Sequence, residues 1–142
     1  MTVRVERRFD VGAPVDEVWA FLSDPGNRAS AVSVVDTFEK RGETTIWHIS
    51  LPIPLIRKTI PVKTQDVEKE PPEFVKFRGT SRAFDVEGTH RVEATDDGAR
   101  VTNAFSVDGR MPGVERFFRR NLDGELKNLE RALKTHLNRG KK

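Results

Sequence analysis

The sequence contains no cysteine. Disulfide staples, thiolate nucleophiles and thiolate-bound metals are therefore excluded. A zinc site would need carboxylates and the only three histidines, His48, His90 and His136, which lie far apart in the chain, so neither a metal nor another cofactor is expected. Long apolar runs are missing too. The most apolar stretch, Leu51-Pro52-Ile53-Pro54-Leu55-Ile56, is six residues with two prolines, whereas a membrane-crossing helix needs about 20. The start, Met1 to Arg8, is charged and alternating, unlike a signal peptide. A soluble, cytoplasmic protein is the expectation. Catalytic signatures are also absent. Gly109-Arg110-Met111-Pro112-Gly113 has neither the lysine nor the strand–loop–helix spacing of a phosphate loop. There is no nucleophile elbow, and no inward carboxylate pair for glycosidic chemistry.

What remains is a chain of 142 residues, 36% hydrophobic and 33% charged, read as one domain over residues 1–142. No internal repeat, linker or low-complexity segment divides it. Net charge is +3, unevenly placed. From Pro112 onward there are nine Lys and Arg against four Asp and Glu, a net +5, leaving 16 against 18, a net −2, for residues 1–111. The basicity belongs to the last helix and the tail Arg139-Gly140-Lys141-Lys142. It reads as a solvated helix face rather than a nucleic-acid surface, because acidic residues are interspersed and the excess is small. Trp19 and Trp47 read as core or pocket wall rather than as stacking platforms, so no nucleic acid is expected as a partner.

That last helix, about Pro112 to Asn138, dominates the pattern. Val114, Phe118, Leu122, Leu126, Leu129, Leu133 and Leu137 recur every three or four residues. The stripe drifts by roughly 140° along the helix, at about 100° per residue. A helix gripped by a curved sheet meets that drift; a flat contact does not. Phe117 and Phe118 can both be buried only if the helix start is broadly enclosed.

Before it, nearly everything reads as strand. Thr2 to Val11 alternates, with Val3, Val5, Arg7, Phe9 and Val11 on one face. Gly12-Ala13-Pro14 breaks it, and Val15, Val18, Trp19 and Leu22 take helical spacing, with Asp16 and Glu17 near the positive helix start. Ser23-Asp24-Pro25-Gly26 stops that helix, and a second short helical turn runs to Ala31. Ala31 to Arg41 is a strand of undecided phase, with Val34, Asp36 and Phe38 on one face and Val35, Thr37 and Glu39 on the other. Gly42 turns the chain. Glu43 to Leu51 follows, with Trp47, Ile49 and Leu51 inward, and Pro52 and Pro54 make the next region an edge or projecting loop. The Leu51–Ile56 tip is a lid, a membrane-touching tip or packing on the protein's own helix. Ile60 to Lys69 and Phe74 to Gly79 are further strands. Arg82 to Thr95 puts Phe84, Val86, Gly88, His90, Val92 and Ala94 on one face. Asp96-Asp97-Gly98 is a hairpin turn, and Ala99 to Val107 returns with Val101, Asn103, Phe105 and Val107 inward.

The opening Val5-Glu6-Arg7-Arg8-Phe9-Asp10-Val11, the run Ala13-Pro14-Val15-Asp16-Glu17-Val18-Trp19-Ala20-Phe21-Leu22-Ser23-Asp24-Pro25, the Asp85–Thr95 strand with its Asp-Asp-Gly turn, and the amphipathic last helix together resemble the START-like or helix-grip superfamily (SRPBCC), within it the polyketide cyclase/dehydrase and lipid-transport-like group. The resemblance covers essentially the whole chain. It implies an α+β helix-grip fold: a curved antiparallel sheet of about seven strands around a long C-terminal helix, with two short helices after the first strand. It supplies no shared catalytic motif to carry over.

A bent sheet and a long helix diverge at one end and leave a space. Trp47, Phe84, Val86, Phe105, Phe118 and Leu122 are expected to wall it, with His90 and Asn103 as polar contacts. Counting back from the Asp96-Asp97-Gly98 turn puts His90 opposite Asn103, close enough to hydrogen-bond, with His90 tunable near neutral pH. The expected function is binding of a small hydrophobic or amphipathic, lipid- or polyketide-like molecule. The alternatives are a cyclase or dehydratase using His90 as acid/base, or an interaction module with weak membrane contact. Whether the chain is a monomer or a homodimer is left open. A dry pocket too small for a ligand would count against the binding reading.

Overall fold

A computed structural model describes residues 2–54, 56 and 58–139. The elements run β1 (Thr2–Val11), α1 (Val15–Leu22), α2 (Pro25–Ala31), β2 (Val35–Arg41), β3 (Thr44–Ile49), β4 (Ile60–Glu70), β5 (Phe74–Thr80), β6 (Phe84–Thr95), β7 (Gly98–Gly109) and α3 (Val114–Arg139). The seven strands form one antiparallel sheet in the order β1-β7-β6-β5-β4-β3-β2. The sheet is curved and α3 lies on its inner face.

Local chemistry explains the elements. Pro14 precedes α1 in an extended conformation that suits helix entry. Asp24 caps α2, its Oδ1 accepting the Gly26 N–H at 2.7 Å. Gly42 takes φ +60° in the β2–β3 turn, a left-handed conformation that costs glycine little. Along α3, Val114, Phe118, Leu122, Leu126, Leu129 and Leu133 are all buried, and Leu137 is half-buried. The expected stripe is the helix's core face. Of the paired phenylalanines at its start, Phe118 is buried and Phe117 half-buried, packed edge-on at 5.2 Å. β1 holds the helix at one edge: Arg7, on its inner face, reaches Glu130 of α3 at 3.0 Å, and Lys134 lies over the Phe9 ring.

Four readings change. The segment expected to be a strand from Ala31 begins only at Val35, because α2 runs through Ala31. Its undecided phase has a cause: the pairing register shifts between Val35 and Thr37, a bulge that lets Val35 and Phe38 both pack against the core. Of the two alternatives for the Pro52–Pro54 region the loop holds and the edge does not, since β3 pairs with β4 through Ile49↔Ile60 and the sheet edges are β1 and β2. Ala94 is exposed, beside an open groove with Val15 and Asp16.

In the apolar tip, Leu51 is buried and Ile53 and Ile56 are half-buried against the core, with Ile53 next to Gly113 at the start of α3. Leu55 of that tip, and Gly140, Lys141 and Lys142 of the basic tail, lie outside the described residues.

Candidate functional site

The six expected wall residues meet. Trp47 from β3, Phe84 and Val86 from β6, Phe105 from β7, and Phe118 and Leu122 from α3 line one cavity between sheet and helix. Ile49, Val107, Val32 and Val34 complete its apolar wall, and Glu125 is its one ionisable residue. The cavity measures about 20 Å³. That is room for roughly one water, not the several hundred Å³ of an ordinary ligand pocket. The expectation of an open, ligand-sized space is therefore corrected: aromatic rings fill it.

Phe77 of β5 packs behind this wall, against Trp47 and Phe105. Its ring lies 5.5 Å from Trp47, 6.1 Å from His90 and 6.1 Å from Phe105 between centroids, and the Arg28 guanidinium sits 5.3 Å above it. Directly across on β6 is Gly88. A Cβ there would stand 2.1 Å from a Phe77 ring carbon. The same complementarity recurs one pair along, where Gly79 faces Val86. The β5–β6 pair thus alternates large and absent side chains on its inner face, which lets a ring lie flat on the sheet.

His90 and Asn103 pair as expected: they are register partners, fully buried, with Nδ1 and Oδ1 2.8 Å apart. The amide oxygen accepts, so Nδ1 carries the proton and Nε2 is a bare acceptor. The pair does not line the apolar cavity; the Phe77 ring stacks on His90 from one side and touches Trp47 on the other. Titration near neutrality is lost. Burial first, then the nearby Arg28 charge, push the His90 pKa down to about 3 against the opposing hydrogen bond that His90 donates to Asn103. His90 is therefore neutral at physiological pH.

Two buried charged residues, Arg28 and Glu125, escape sequence reasoning. Arg28 of α2 donates to Asp66 of β4 and, at 3.0 Å, to the Leu22 carbonyl. Glu125 of α3 accepts from both the Ser33 N–H and its hydroxyl at 2.9 Å, and from Asn128 Nδ2. It thereby ties the segment after α2, and with it the Val32–Val34 wall of the cavity, to the helix. Glu125 falls next to the apolar stripe at Leu126, and that adjacency was the available signal. Glu125→Leu is expected to cost about 2 kcal/mol in urea denaturation, because the Ser33 donors lose their partner; Glu125→Gln, which keeps an acceptor oxygen, is expected to lose less than half of that.

Four buried polar atoms have no protein partner among the described residues: Arg28 Nε, Trp47 Nε1, His90 Nε2 and Asn103 Nδ2. Three of these residues were singled out from the sequence. In an apolar interior each such atom costs roughly 1–3 kcal/mol unless something pairs with it. His48 and His136 lie elsewhere, the first 3.4 Å from Glu39 and the second against the Phe21 ring. Among the described residues no group of three or more His, Asp or Glu side chains is placed to hold a metal ion.

A curved seven-stranded sheet closed on one long helix, with an aromatic interior and a few buried polar groups, defines the helix-grip class. The chain belongs to the polyketide cyclase / dehydrase and lipid transport family, whose model matches residues 2–134. The fold is shared with an aromatase/cyclase, Zhui, from Streptomyces sp. R1128 (16% identity, 96% of each chain covered, TM-score 0.70). It is shared also with a START superfamily protein from Mycobacterium smegmatis (10%, 96% of this chain and 97% of that one, TM-score 0.73). A third structure is norcoclaurine synthase from Thalictrum flavum in complex with dopamine and hydroxybenzaldehyde (12%, 100% of this chain and 90% of that one, TM-score 0.71). No curated protein matches the chain in sequence.

Proposed function

We propose that residues 1–142 act as one ligand-binding domain, taking a small hydrophobic or amphipathic molecule between the sheet and α3. The observation that carries this is the convergence of the apolar side chains Trp47, Phe84, Val86, Phe105, Phe118 and Leu122 between sheet and helix, while the closed volume of about 20 Å³ counts against it unless that wall opens. Family membership supports it. The cavity must widen to admit a ligand, and the part of its wall that can give is the Val32–Val34 segment, held to α3 through Ser33 and Glu125. The unpaired interior atoms supply two kinds of contact. Trp47 Nε1, on the cavity wall, donates; Asn103 Nδ2, a donor, and His90 Nε2, an acceptor, lie beyond that wall and are reached only when the cavity widens toward β6 and β7. A ligand with a hydroxyl or carbonyl on an apolar or aromatic body suits both.

The second reading, a cyclase or dehydratase using His90, rests on the bare Nε2. A histidine held neutral to about pH 3 is no general acid at pH 7, so in that reading it only accepts a proton.

Native mass spectrometry of the protein as purified tests the binding reading. The expected result is a retained small molecule that disappears in Leu122→Phe, a variant that overfills the cavity. A ligand-free protein whose melting temperature is unmoved by a panel of phenolic and acyl compounds sinks the proposal. His90→Phe separates the two readings: a binder keeps ligand with altered selectivity, whereas an enzyme keeps ligand and loses turnover.

Val86→Ile adds one methylene toward the same void. If the cavity is empty and apolar, stability rises by up to about 1 kcal/mol, or roughly 3 °C in melting temperature. A loss of that size would mean the wall has no slack.

A further inference from the structure

On the far side of the helices from the aromatic interior, α1, α2 and the C-terminal half of α3 enclose an open groove of about 450 Å³. None of its lining residues is acidic, and Arg131, His136 and Arg139 lie along it. Other cations of α3 are neutralised within the helix: Arg119 by Glu115, Lys127 by Asp123 and Lys134 by Glu130. Arg131 and Arg139 have no ion pair among the described residues; Arg131 reaches only Asn128 Oδ1, at 3.5 Å. Arg116 and Arg120 are also unpaired on the first half of α3, but they line none of the grooves described here. The distinguishing feature is a concave site that gathers the charges.

The groove is not purely polar. The Phe21 and His136 rings pack 5.0 Å apart in its wall, while Ser30 and Thr135 add hydroxyl groups. α3 ends here, and its C-terminus carries about half a negative charge. Two guanidinium groups outweigh that and leave a net attraction for an anion. Guanidinium forks match phosphate oxygens two at a time, and the exposed His136 ring, backed by the buried Phe21 ring, offers a surface for what the phosphate is attached to. We propose that this groove is a second binding site, for the phosphate monoester of a small organic body, held by Arg131 and Arg139 against the Phe21–His136 ring pair.

The same phosphate chemistry is presented by a soluble ester and by a lipid headgroup, and the test separates them. The intact protein is titrated with inorganic phosphate, with phenyl phosphate, and with phosphatidylcholine vesicles with and without phosphatidic acid. Phenyl phosphate is expected to bind at least about tenfold more tightly than inorganic phosphate, because only it covers the rings. In Arg131→Gln/Arg139→Gln its affinity is expected to fall at least about tenfold with an unchanged melting temperature. Binding of phenyl phosphate without vesicle binding assigns a soluble ester. Vesicle binding that needs both phosphatidic acid and these two arginines assigns a headgroup. Absence of both overturns the site. So does an equal loss in the control Arg116→Gln/Arg120→Gln, which would make the attraction a diffuse effect of helix charge.

Discussion

Gly88→Ala is expected to lower the folding free energy by about 3 kcal/mol, near the upper end for a residue one methyl too large. The reason is geometric. A Cβ at Gly88 would stand 2.1, 2.6 and 2.9 Å from three carbons of the Phe77 ring. The ring cannot tilt away freely, because Trp47, His90, Phe105 and the Arg28 guanidinium surround it. Elsewhere in a strand the same change would help slightly, by about 0.5–1 kcal/mol, through reduced freedom of the unfolded chain. The steric term therefore decides even the sign. Urea denaturation of Gly88→Ala, Phe77→Leu and the double variant checks the argument. If the ring is the obstacle, Gly88→Ala costs little once Phe77 is leucine. Simple additivity of the two losses would show that the two residues are not in conflict.

Acid sensitivity centred on His90 is the second large effect. Its folded pKa of about 3 lies below the ordinary 6.5, so the unfolded chain binds the proton more readily. The stability this residue supports is complete above about pH 6.5 and drains away as pH falls toward 3. Integrated over that window it amounts to about 5 kcal/mol, since each pKa unit corresponds to roughly 1.4 kcal/mol. Arg28 faces His90 from α2 with its partner Asp66 on β4, and Asn103 faces it from β7. Asp24, Glu87 and Glu130 also have lowered pKa values and weaken the fold on acidification, so the comparison must remove their common effect. His90→Gln keeps a donor for Asn103 without titrating. Between pH 7 and 4.5 the native protein is expected to lose about 2.5 kcal/mol more than His90→Gln. Parallel losses in the two proteins would sink the assignment.

The parts of this molecule that were legible in its sequence are those governed by short-range periodicity. Strict alternation gave β1 and β6 their faces, and the Asp96-Asp97-Gly98 turn fixed the β6–β7 register. The His90–Asn103 pair could therefore be counted out residue by residue. The α3 stripe needed only its own spacing. What could not be read depends on elements meeting across the chain. A bulge at Val35/Thr37 breaks the alternation by which β2 would have shown its phase. The burial of Arg28 follows from Asp66, 38 residues away, and that of Glu125 from Ser33, 92 residues away. The size of the interior space was beyond reach for the same reason. Its wall residues are inward-facing and countable, but whether they leave room depends on how rings pack across strands, such as the Phe77 ring that lies over Gly88 against Trp47 and Phe105. Register could have paired those two residues, but no local pattern fixes the ring's rotamer.

The neighbour of β1 is β7, so Thr2 pairs with Asp108 and Val11 with Ala99. On a ribosome adding about 5–20 residues per second, β1 waits roughly 5–20 seconds for its only strand partner. During that time it is an open edge, and its charged alternate residues Arg4, Glu6, Arg8 and Asp10 keep it from pairing with other chains. α3, which β1 grips through Arg7 and Glu130, arrives later still. The curved sheet can form from β2 to β7 by successive hairpins, but the first strand made is among the last to be placed. Closure of this fold therefore waits for β7 and α3, long after β1 has been made.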